Sequence, residues 1–200
     1  MTRICSKNYG PSPVNRAEVL RYAGVREEIP ELKNVLDECL AEFDGELSAK
    51  VCWGIFDIAR NGSKVDFGFA KTVSENLSGN LAECSRAVVF AATIGLSVDR
   101  LLLRYGTISP VKALFFQAIG AERIEDLCDR FESEMLETLR LGDCYLRPRF
   151  SPGYGDFSLE FQKDIFRALD APRRIGLTLN ESLLMTPTKS VTAVIGICEK

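Results

Sequence analysis

The alternation of apolar and polar positions along the chain predicts five β-strands. Val65, Phe67 and Phe69 alternate with polar or glycine positions, a period of two that is typical of a strand with one buried face. Residues 87–93 form instead a continuous apolar run, which indicates a strand covered on both faces. Asn61-Gly62 is a strong hairpin signal and predicts a turn between the first two strands. The predicted strands are 51–58, 64–70, 87–93, 145–149 and 190–197.

Apolar residues that recur every three or four positions predict six α-helices around these strands. Asn15 is placed to cap the first helix, with Glu18 three residues further on. We expect Ser97 to cap the fourth helix, and Ser158 or Asp156 to cap the last one. The predicted helices cover about 16–23, 30–43, 76–83, 97–105, 110–139 and 158–169.

Glycine and proline set the predicted helix ends. Asp44-Gly45 and Gly142 each end a helix. The helix over 110–139 is long for a globular protein, so we expect a break or curvature near Gly120. Pro172-Arg173-Arg174 is expected to break the last helix. Together these elements predict an α+β fold, a mainly antiparallel twisted sheet with helices packed around it.

Composition and charge narrow the class of protein. A length of 200 residues, with 46% hydrophobic and 26% charged residues, fits one globular domain over 1–200. A net charge of −3 gives no reason to expect nucleic acid or an anionic membrane as a partner. No apolar run reaches membrane-spanning length, and the first residues lack a signal-peptide core. We therefore expect a cytoplasmic protein.

The cysteines and the missing histidine exclude several kinds of site. The seven cysteines are scattered, and no two are close enough for a CxxC pair. This spacing argues against a zinc knuckle, an iron–sulfur cluster or a thioredoxin-like site, and we expect reduced, mostly buried thiols. Without histidine there is no imidazole base and no histidine metal ligand. We therefore predict no metal site and no catalytic side chain.

The stretch from Arg149 to Tyr154 carries the chemistry of a ligand loop. Pro152 fixes its own φ and favours extended geometry at Ser151, and Gly153 reaches conformations closed to other residues. The Arg149 guanidinium can clamp a carboxylate or a phosphate with two parallel hydrogen bonds. Tyr154 adds a flat face and one hydroxyl. The residues favour a small ligand with an anionic end and a ring, although an ordinary surface turn has the same features.

A second segment downstream of this loop makes the pattern specific. The run from Ile175-Gly176 through Glu181-Ser182 to Met185 and Pro187 is followed by a strand-like stretch over 190–197. This order of loop, helix, segment and terminal strand resembles the activation domain of cobalamin-dependent methionine synthase, in its free-standing form. The resemblance is most specific over 145–197 and is traceable from Arg86 onward. It divides the chain into an N-terminal part with helices and a hairpin (1–85) and a ligand-site part (86–200).

The resemblance implies a ligand, S-adenosylmethionine, and a set of residues that hold it. Arg149 would bind the carboxylate of the ligand, and Tyr154 would form a wall of the site. Ser151 and Gly153 would offer backbone groups. Glu125 would contact the ammonium or the ribose, although a place on the solvated face of the helix weighs equally. Glu181 and Arg147 are expected to support the loop from behind.

The same resemblance implies a role in the repair of an oxidised cofactor. The protein would present the methyl group of S-adenosylmethionine to cob(II)alamin on a partner, a cobalamin-binding methionine synthase or another corrinoid protein. Flavodoxin or a similar donor would supply the electron. Cobalamin is therefore expected only through the partner, because this chain has no histidine to hold the cobalt.

Two other classes of function stay open. One is a docking or scaffold protein for a corrinoid protein, without ligand binding. The other is an independent small-molecule methyltransferase, against which the missing general base and the missing glycine-rich loop argue. The chain also departs from the family pattern, since Gly155 replaces the proline that usually follows the loop tyrosine. The tyrosines that the large synthases place near the adenine, after the last strand, have no counterpart before Lys200.

Overall fold

The structure is a computed structural model that describes residues 2–27, 29–43, 47–140 and 144–199. The expected helix ends at Asp44-Gly45 and Gly142 lie outside these residues. The helices are α1 (Arg16–Tyr22), α2 (Pro30–Phe43), α3 (Glu75–Asn80), α4 (Ser97–Ile108), α5 (Pro110–Arg140), a 3-10 turn (Leu159–Phe161), α6 (Gln162–Leu169) and α7 (Ala171–Ile175). The strands are β1 (Ile4–Asn8), β2 (Lys50–Asp57), β3 (Ala59–Asn61), β4 (Lys64–Asp66), β5 (Lys71–Val73), β6 (Cys84–Thr93), β7 (Cys144–Leu146), β8 (Thr178–Leu179), β9 (Met185–Thr186) and β10 (Ser190–Glu199).

A five-stranded antiparallel sheet in the order β1-β2-β6-β10-β7 organises the molecule. The predicted α+β class is therefore confirmed. The two longest strands, β6 and β10, lie at its centre and pair along nearly their whole length. Strand β1 is an addition to the prediction. Its outer residues Ser6, Lys7 and Asn8 are exposed, so an edge strand of this kind lacks the apolar alternation that identifies buried strands.

The sheet is covered on both faces, which makes three layers. Val88, Phe90 and Ala92 of β6 face one core, with helices α1, α2, α4 and α5. Ala87, Val89 and Ala91 alternate with them and face a second core, with α3, the 3-10 turn, α6 and α7. Both sets are fully buried, which explains the continuous apolar run in the sequence of this strand.

The predicted hairpin between 51–58 and 64–70 is wrong. Asn61-Gly62 does lie at a turn, but that turn joins β3 to β4 in a separate three-stranded sheet. Strand β2 pairs with β1 and β6 instead. The predicted strand 64–70 ends at Asp66, because Gly68 adopts a φ of +78° and turns the chain into β5.

Three helix predictions need correction. Of the expected break or curvature near Gly120, the break is wrong: α5 is continuous there, and the missing side chain admits Val98 and Lys189 at close range. Ser97 does not cap α4, which starts after Leu96 without a side-chain cap. Helix α6 ends at Leu169 as predicted, but Asp170 with a φ of +51° makes the break, and Pro172 lies in the first turn of α7, where proline is tolerated. None of the described helices is long and apolar enough to cross a membrane.

The expectation that every thiol is free is also wrong. The structure bonds Cys84 to Cys198 as a disulfide, with the Cα atoms 4.3 Å apart. The two residues are opposite one another on the central strands β6 and β10. They are separated by 114 positions in the sequence, so spacing along the chain could not reveal the pair. Cys39, Cys52, Cys128 and Cys144 are buried and belong to no disulfide, and neither does the half-buried Cys5.

Candidate ligand site at the edge of the sheet

The segment that follows β7 is fastened to the central strand β10. The Arg147 backbone N–H donates to the Gly196 carbonyl at 2.9 Å. Phe150 and Val194 then exchange both backbone hydrogen bonds, at 2.8 and 2.9 Å. The chain therefore leaves the sheet only after Phe150. Three backbone hydrogen bonds of the kind found between antiparallel strands thus hold the base of the predicted ligand loop to the sheet.

The loop itself closes on its own backbone. Gly153 adopts a φ of +94°, and its N–H donates to the Phe157 carbonyl at 2.8 Å. The Phe157 N–H returns a bond to the Tyr154 carbonyl at 3.0 Å, and the Tyr154 N–H donates to the Ser151 carbonyl at 3.2 Å. Pro152 is buried beneath this turn. The Gly153 N–H is already bonded to Phe157, so a backbone contact from Gly153 to a ligand would have to come from its carbonyl.

Two aromatic side chains of the loop have opposite environments. Phe157 is 1% exposed and stacks on Phe150, with ring centroids 6.2 Å apart. Tyr154 is 69% exposed, and such a large solvent-facing ring is available to a ligand or a partner. The buried pair holds the turn against the sheet while the tyrosine stands outside it.

Arg149 lies among three carboxylates of helix α5. Its guanidinium donates to Glu125 at 2.5 Å, to Asp129 at 2.7 Å and to Glu132. Partial burial disfavours the charged form, but the bonds to Glu132 and Asp129 outweigh it and raise the pKa of Arg149. The structure thus brings together Arg149 and Glu125, two of the predicted site residues.

Asp129 and Glu132 were not among the predicted site residues, although the sequence carries a signal for them. They follow Glu125 by four and seven positions, a spacing that puts all three carboxylates on one face of a helix. With one guanidinium against three carboxylates, the cluster carries a formal net charge of −2. Beneath it, burial raises the pKa of the Cys128 thiol, against the opposing effect of Arg149. This buried thiol stays neutral at physiological pH.

Arg147 differs from Arg149 in its surroundings. Its Nε donates to the Asn80 carbonyl at 3.0 Å, at the end of α3. Its stem lies over Gly196, where a Cβ would come within 3.2 Å of the Arg147 Cγ. The guanidinium is therefore tied to the protein's own backbone.

Glu181 lies in the turn between β8 and β9, and its side chain is exposed. Its supporting role stays a prediction, as do the ligand contacts of Ser151, which is half-buried in the loop.

Asp156 has a structural role that the sequence did not indicate. Ser158 caps the following 3-10 turn, as one of the two alternatives predicted, by accepting from the Glu160 N–H. The Asp156 carboxylate instead accepts from the Ser74 hydroxyl and from the backbone N–H groups of Glu75 and Asn76, at the start of α3. These bonds lower the pKa of Asp156, and the bond from Ser74 has the largest effect. The loop is thereby joined to a helix 80 positions away.

Gly155, the departure from the family pattern, has a physical reason. Its φ is +54°, and a Cβ at this position would overlap the side-chain amide of Asn76. Proline is restricted to φ near −65° and could not occupy this position in the same backbone. Glycine at this position therefore permits both the positive φ and the close approach to α3.

A shallow cleft of about 290 Å³ adjoins the arginine cluster. It lies between α1 and α5 and is lined by Asn15, Glu18, Tyr22, Glu122, Glu125, Asp126 and Asp129. Glu125 and Asp129 belong both to this cleft and to the salt bridges with Arg149. All five carboxylates of this cleft are within salt-bridge distance of an arginine, so the surface favours a cationic group only where carboxylates outnumber the guanidinium, around Arg149. Among the described residues no cluster of three or more metal-ligating side chains is placed to hold a metal ion.

Comparisons with known proteins identify the architecture. No protein-family model and no curated protein matches the sequence. Among solved structures, the chain is similar to the crystal structure of the MetH reactivation domain bound to AdoHcy. The match has a TM-score of 0.67 and 17% sequence identity, and it covers 97% of this chain and 78% of that one. The chain therefore has the activation-domain fold that the sequence resemblance implied.

Proposed function

We propose that this protein binds S-adenosylmethionine and supports the reductive methylation of cob(II)alamin on a partner protein. The observation that carries the proposal is the likeness, over nearly the whole chain, to a reactivation domain that holds AdoHcy. The site geometry gives a second line of support, because Arg149 lies among carboxylates and the same loop carries the exposed Tyr154. A guanidinium next to carboxylates can receive both charged groups of an α-amino acid.

The amino-acid end of the ligand would exchange with an existing salt bridge. Its carboxylate would take one edge of the Arg149 guanidinium in place of a side-chain carboxylate. Glu125 is the group that we expect to be displaced, since the resemblance assigns it to the ligand's ammonium and its partly exposed side chain can turn toward it. Asp129 and Glu132 would continue to orient the guanidinium. The charge of the cluster is then unchanged by a zwitterionic end.

The acidic surface has a further consequence for the sulfonium. When bound, S-adenosylmethionine supplies a methyl group that departs while the electron pair of its bond stays on sulfur. The net charge of −2 around Arg149 favours the positively charged sulfonium over the neutral thioether that remains. The residues of this chain would bind and orient the ligand, and such positioning needs no acid or base.

The partner and the electron donor follow from the same proposal. The corrinoid would be held by a cobalamin-dependent methionine synthase or a related methyltransferase, and the protein would serve methionine biosynthesis in the cytoplasm. Flavodoxin or another one-electron donor would act on the partner. In this proposal the corrinoid would approach the methyl group from the face of the loop that carries the exposed Tyr154.

Titration calorimetry with S-adenosylmethionine and S-adenosylhomocysteine tests the proposal directly. We expect both to bind, the sulfonium form about two- to tenfold more tightly, with a ratio that falls as salt is added. Homocysteine in the same concentration range serves as a control for the amino-acid end alone. Absence of heat with either nucleoside up to millimolar concentration would refute ligand binding.

One observation favours a second candidate, a docking protein that binds no ligand. Arg149 already has three carboxylate partners, so its hydrogen-bonding capacity is used within the protein. A docking protein would give no heat with either nucleoside and would still co-elute with a corrinoid-loaded methionine synthase in gel filtration. Binding of the nucleosides excludes this candidate.

A further inference from the structure

Helix α3 is hydrogen-bonded to the chain on both sides of the ligand loop. At its first turn, the Ser74 hydroxyl and the N–H groups of Glu75 and Asn76 donate to Asp156, at 2.6 Å for Glu75 and 3.2 Å for Asn76. At its last residue, the Asn80 side-chain amide donates to the Pro148 carbonyl at 3.1 Å. Residues 149–155 are thus held between two anchor points on one short helix.

The spacing of the anchors sets the shape of the loop. A six-residue helix is about 9 Å long. The eight peptide units from Pro148 to Asp156 would span about 26–29 Å if extended. The segment must therefore fold back on itself between the anchors, which is where Gly153 takes its positive φ. The backbone bonds from Gly153 to Phe157 close the turn that results.

The anchor at Asp156 can be removed without removing the cap of the helix. Ser74 accepts from the Leu77 N–H at 2.9 Å through its own hydroxyl, so α3 retains an N-cap in the absence of Asp156. Ser74 and Leu77 are buried, and Leu77 belongs to the second core. Loss of the Asp156 carboxylate would therefore detach this end of the loop from α3, while Ser74 and Leu77 keep α3 in place.

We propose that Asp156 is a positioning residue of the ligand loop, which fixes the conformation of residues 149–154 through α3 and so sets the affinity for the ligand. The inference rests on the proposed function, since it concerns the same loop. In this proposal Asp156 acts through the backbone of the loop and does not contact the ligand.

The test compares three variants with the unaltered protein. Asp156→Ala removes both acceptor oxygens, Asp156→Asn keeps one, and Ser158→Ala removes the cap of the next turn, two residues along. With S-adenosylhomocysteine as the probe, we expect about tenfold weaker binding for Asp156→Ala, as for one lost hydrogen bond, and partial recovery for Asp156→Asn. Ser158→Ala should bind as the unaltered protein does.

A second measurement separates this inference from the proposed function. In the ligand-free protein, the amide resonances of Gly153 and Tyr154 should shift in Asp156→Ala and stay in place in Ser158→Ala. If the unaltered protein binds no nucleoside but these resonances shift, the proposed function fails together with the effect on affinity, and only the role of Asp156 in fixing the loop conformation stands. If binding and resonances are both unchanged in Asp156→Ala, or if Ser158→Ala weakens binding equally, the positioning role is overturned.

Discussion

Two arginines of the loop region, two positions apart, have the same side chain and different partners. Arg149 meets the carboxylates of α5, whereas Arg147 donates to the backbone carbonyl of Asn80. A guanidinium among carboxylate side chains can exchange one of them for a ligand, because those side chains can move. Arg147 could bind a ligand with its Nε only by giving up the bond to the Asn80 carbonyl, which would leave the end of α3 less well held.

The two positions therefore predict different outcomes for the same substitution. We expect Arg149→Ala to weaken S-adenosylhomocysteine binding about ten- to two-hundredfold, since charge-assisted bonds contribute about 1.5–3 kcal/mol. Arg147→Ala should leave the affinity within about threefold and lower the melting temperature instead. Calorimetry and thermal unfolding of both variants provide the comparison.

Arg149→Ala also leaves three carboxylates without their common partner, so its melting temperature needs its own control. Arg149→Lys keeps the charge and loses the two-edged geometry. It should melt close to the unaltered protein and still bind more weakly. Equal, small effects on affinity at positions 147 and 149 would contradict the assignment of Arg149 to the ligand.

At the scale of elements, α5 holds the molecule together by contacts along its whole length. Near its start it packs on α4 at Gly120, and further along its charged side chains fasten the segment after β1. The buried Arg123 donates to the carbonyls of Ser12 and Pro13. These contacts explain why so long a helix stays unbroken, since most helix stability in proteins comes from packing.

The glycine of α5 offers a test of that packing. An Ala side chain at Gly120 would lie 2.9 Å from Val98, which is fully buried, so Gly120→Ala should destabilise by about 1–3 kcal/mol. Gly106 of α4 has open space around it, and Gly106→Ala should stabilise by up to about 1 kcal/mol. Denaturant unfolding measures both. A stabilising Gly120→Ala would contradict close packing at this position.

The contact between β1 and α5 predicts a dependence on pH. The Lys7 ammonium and the Tyr9 hydroxyl both donate to Glu134. Both bonds lower the pKa of Glu134 from 4.5, and the bond from Lys7 has the larger effect. A lowered folded-state pKa contributes stability that is present above the unfolded value and is lost as pH falls through the folded value. The contact should therefore stabilise the fold at pH 7 and fade below about pH 4.5.

Glu134→Gln isolates this effect, because glutamine fills the same space without titrating. The unaltered protein should be more stable than Glu134→Gln at neutral pH, and the difference in unfolding free energy should shrink in acid. A difference that stays constant between pH 7 and pH 3 would show that Glu134 contributes through packing rather than charge.

At the scale of the whole molecule, the Cys84–Cys198 disulfide joins the two central strands and closes most of the C-terminal part of the chain into a loop. A link across about 100 residues is expected to stabilise by about 2–5 kcal/mol, mainly by restricting the unfolded chain. Alkylation in denaturant without reductant should label five of the seven cysteines. Labelling of all seven in protein purified without reductant would contradict the bond.

Reduction provides the energetic half of this prediction. Treatment with a thiol reductant should lower the denaturant midpoint, and Cys84→Ala should lower it by a similar amount and make it insensitive to reductant. Cys39→Ala, at a buried free thiol, is the matched control whose response to reductant should remain that of the unaltered protein.

The sequence by itself determined those features that depend on neighbours along the chain. The buried strands at 87–93 and 190–197, the Asn15 cap of α1 and the tight turn around Gly153 were all correctly predicted, because local periodicity and backbone restriction encode them. The resemblance over 145–197 also predicted the activation-domain fold, which the structural comparison confirmed.

Only the tertiary structure decided which distant groups meet. Four features join residues between 17 and 114 positions apart. They are the pairing of β1 at the sheet edge, the bond between Cys84 and Cys198, the salt bridges of Arg149, and the hydrogen bonds of Asp156 to α3. No periodicity along the chain records such pairs, since each depends on how the strands are ordered and how α3 and α5 lie against the loop. The loop motif of the candidate site can therefore be recognised from neighbouring residues, whereas its charge cannot, because the arginine comes from the loop and the carboxylates come from α5.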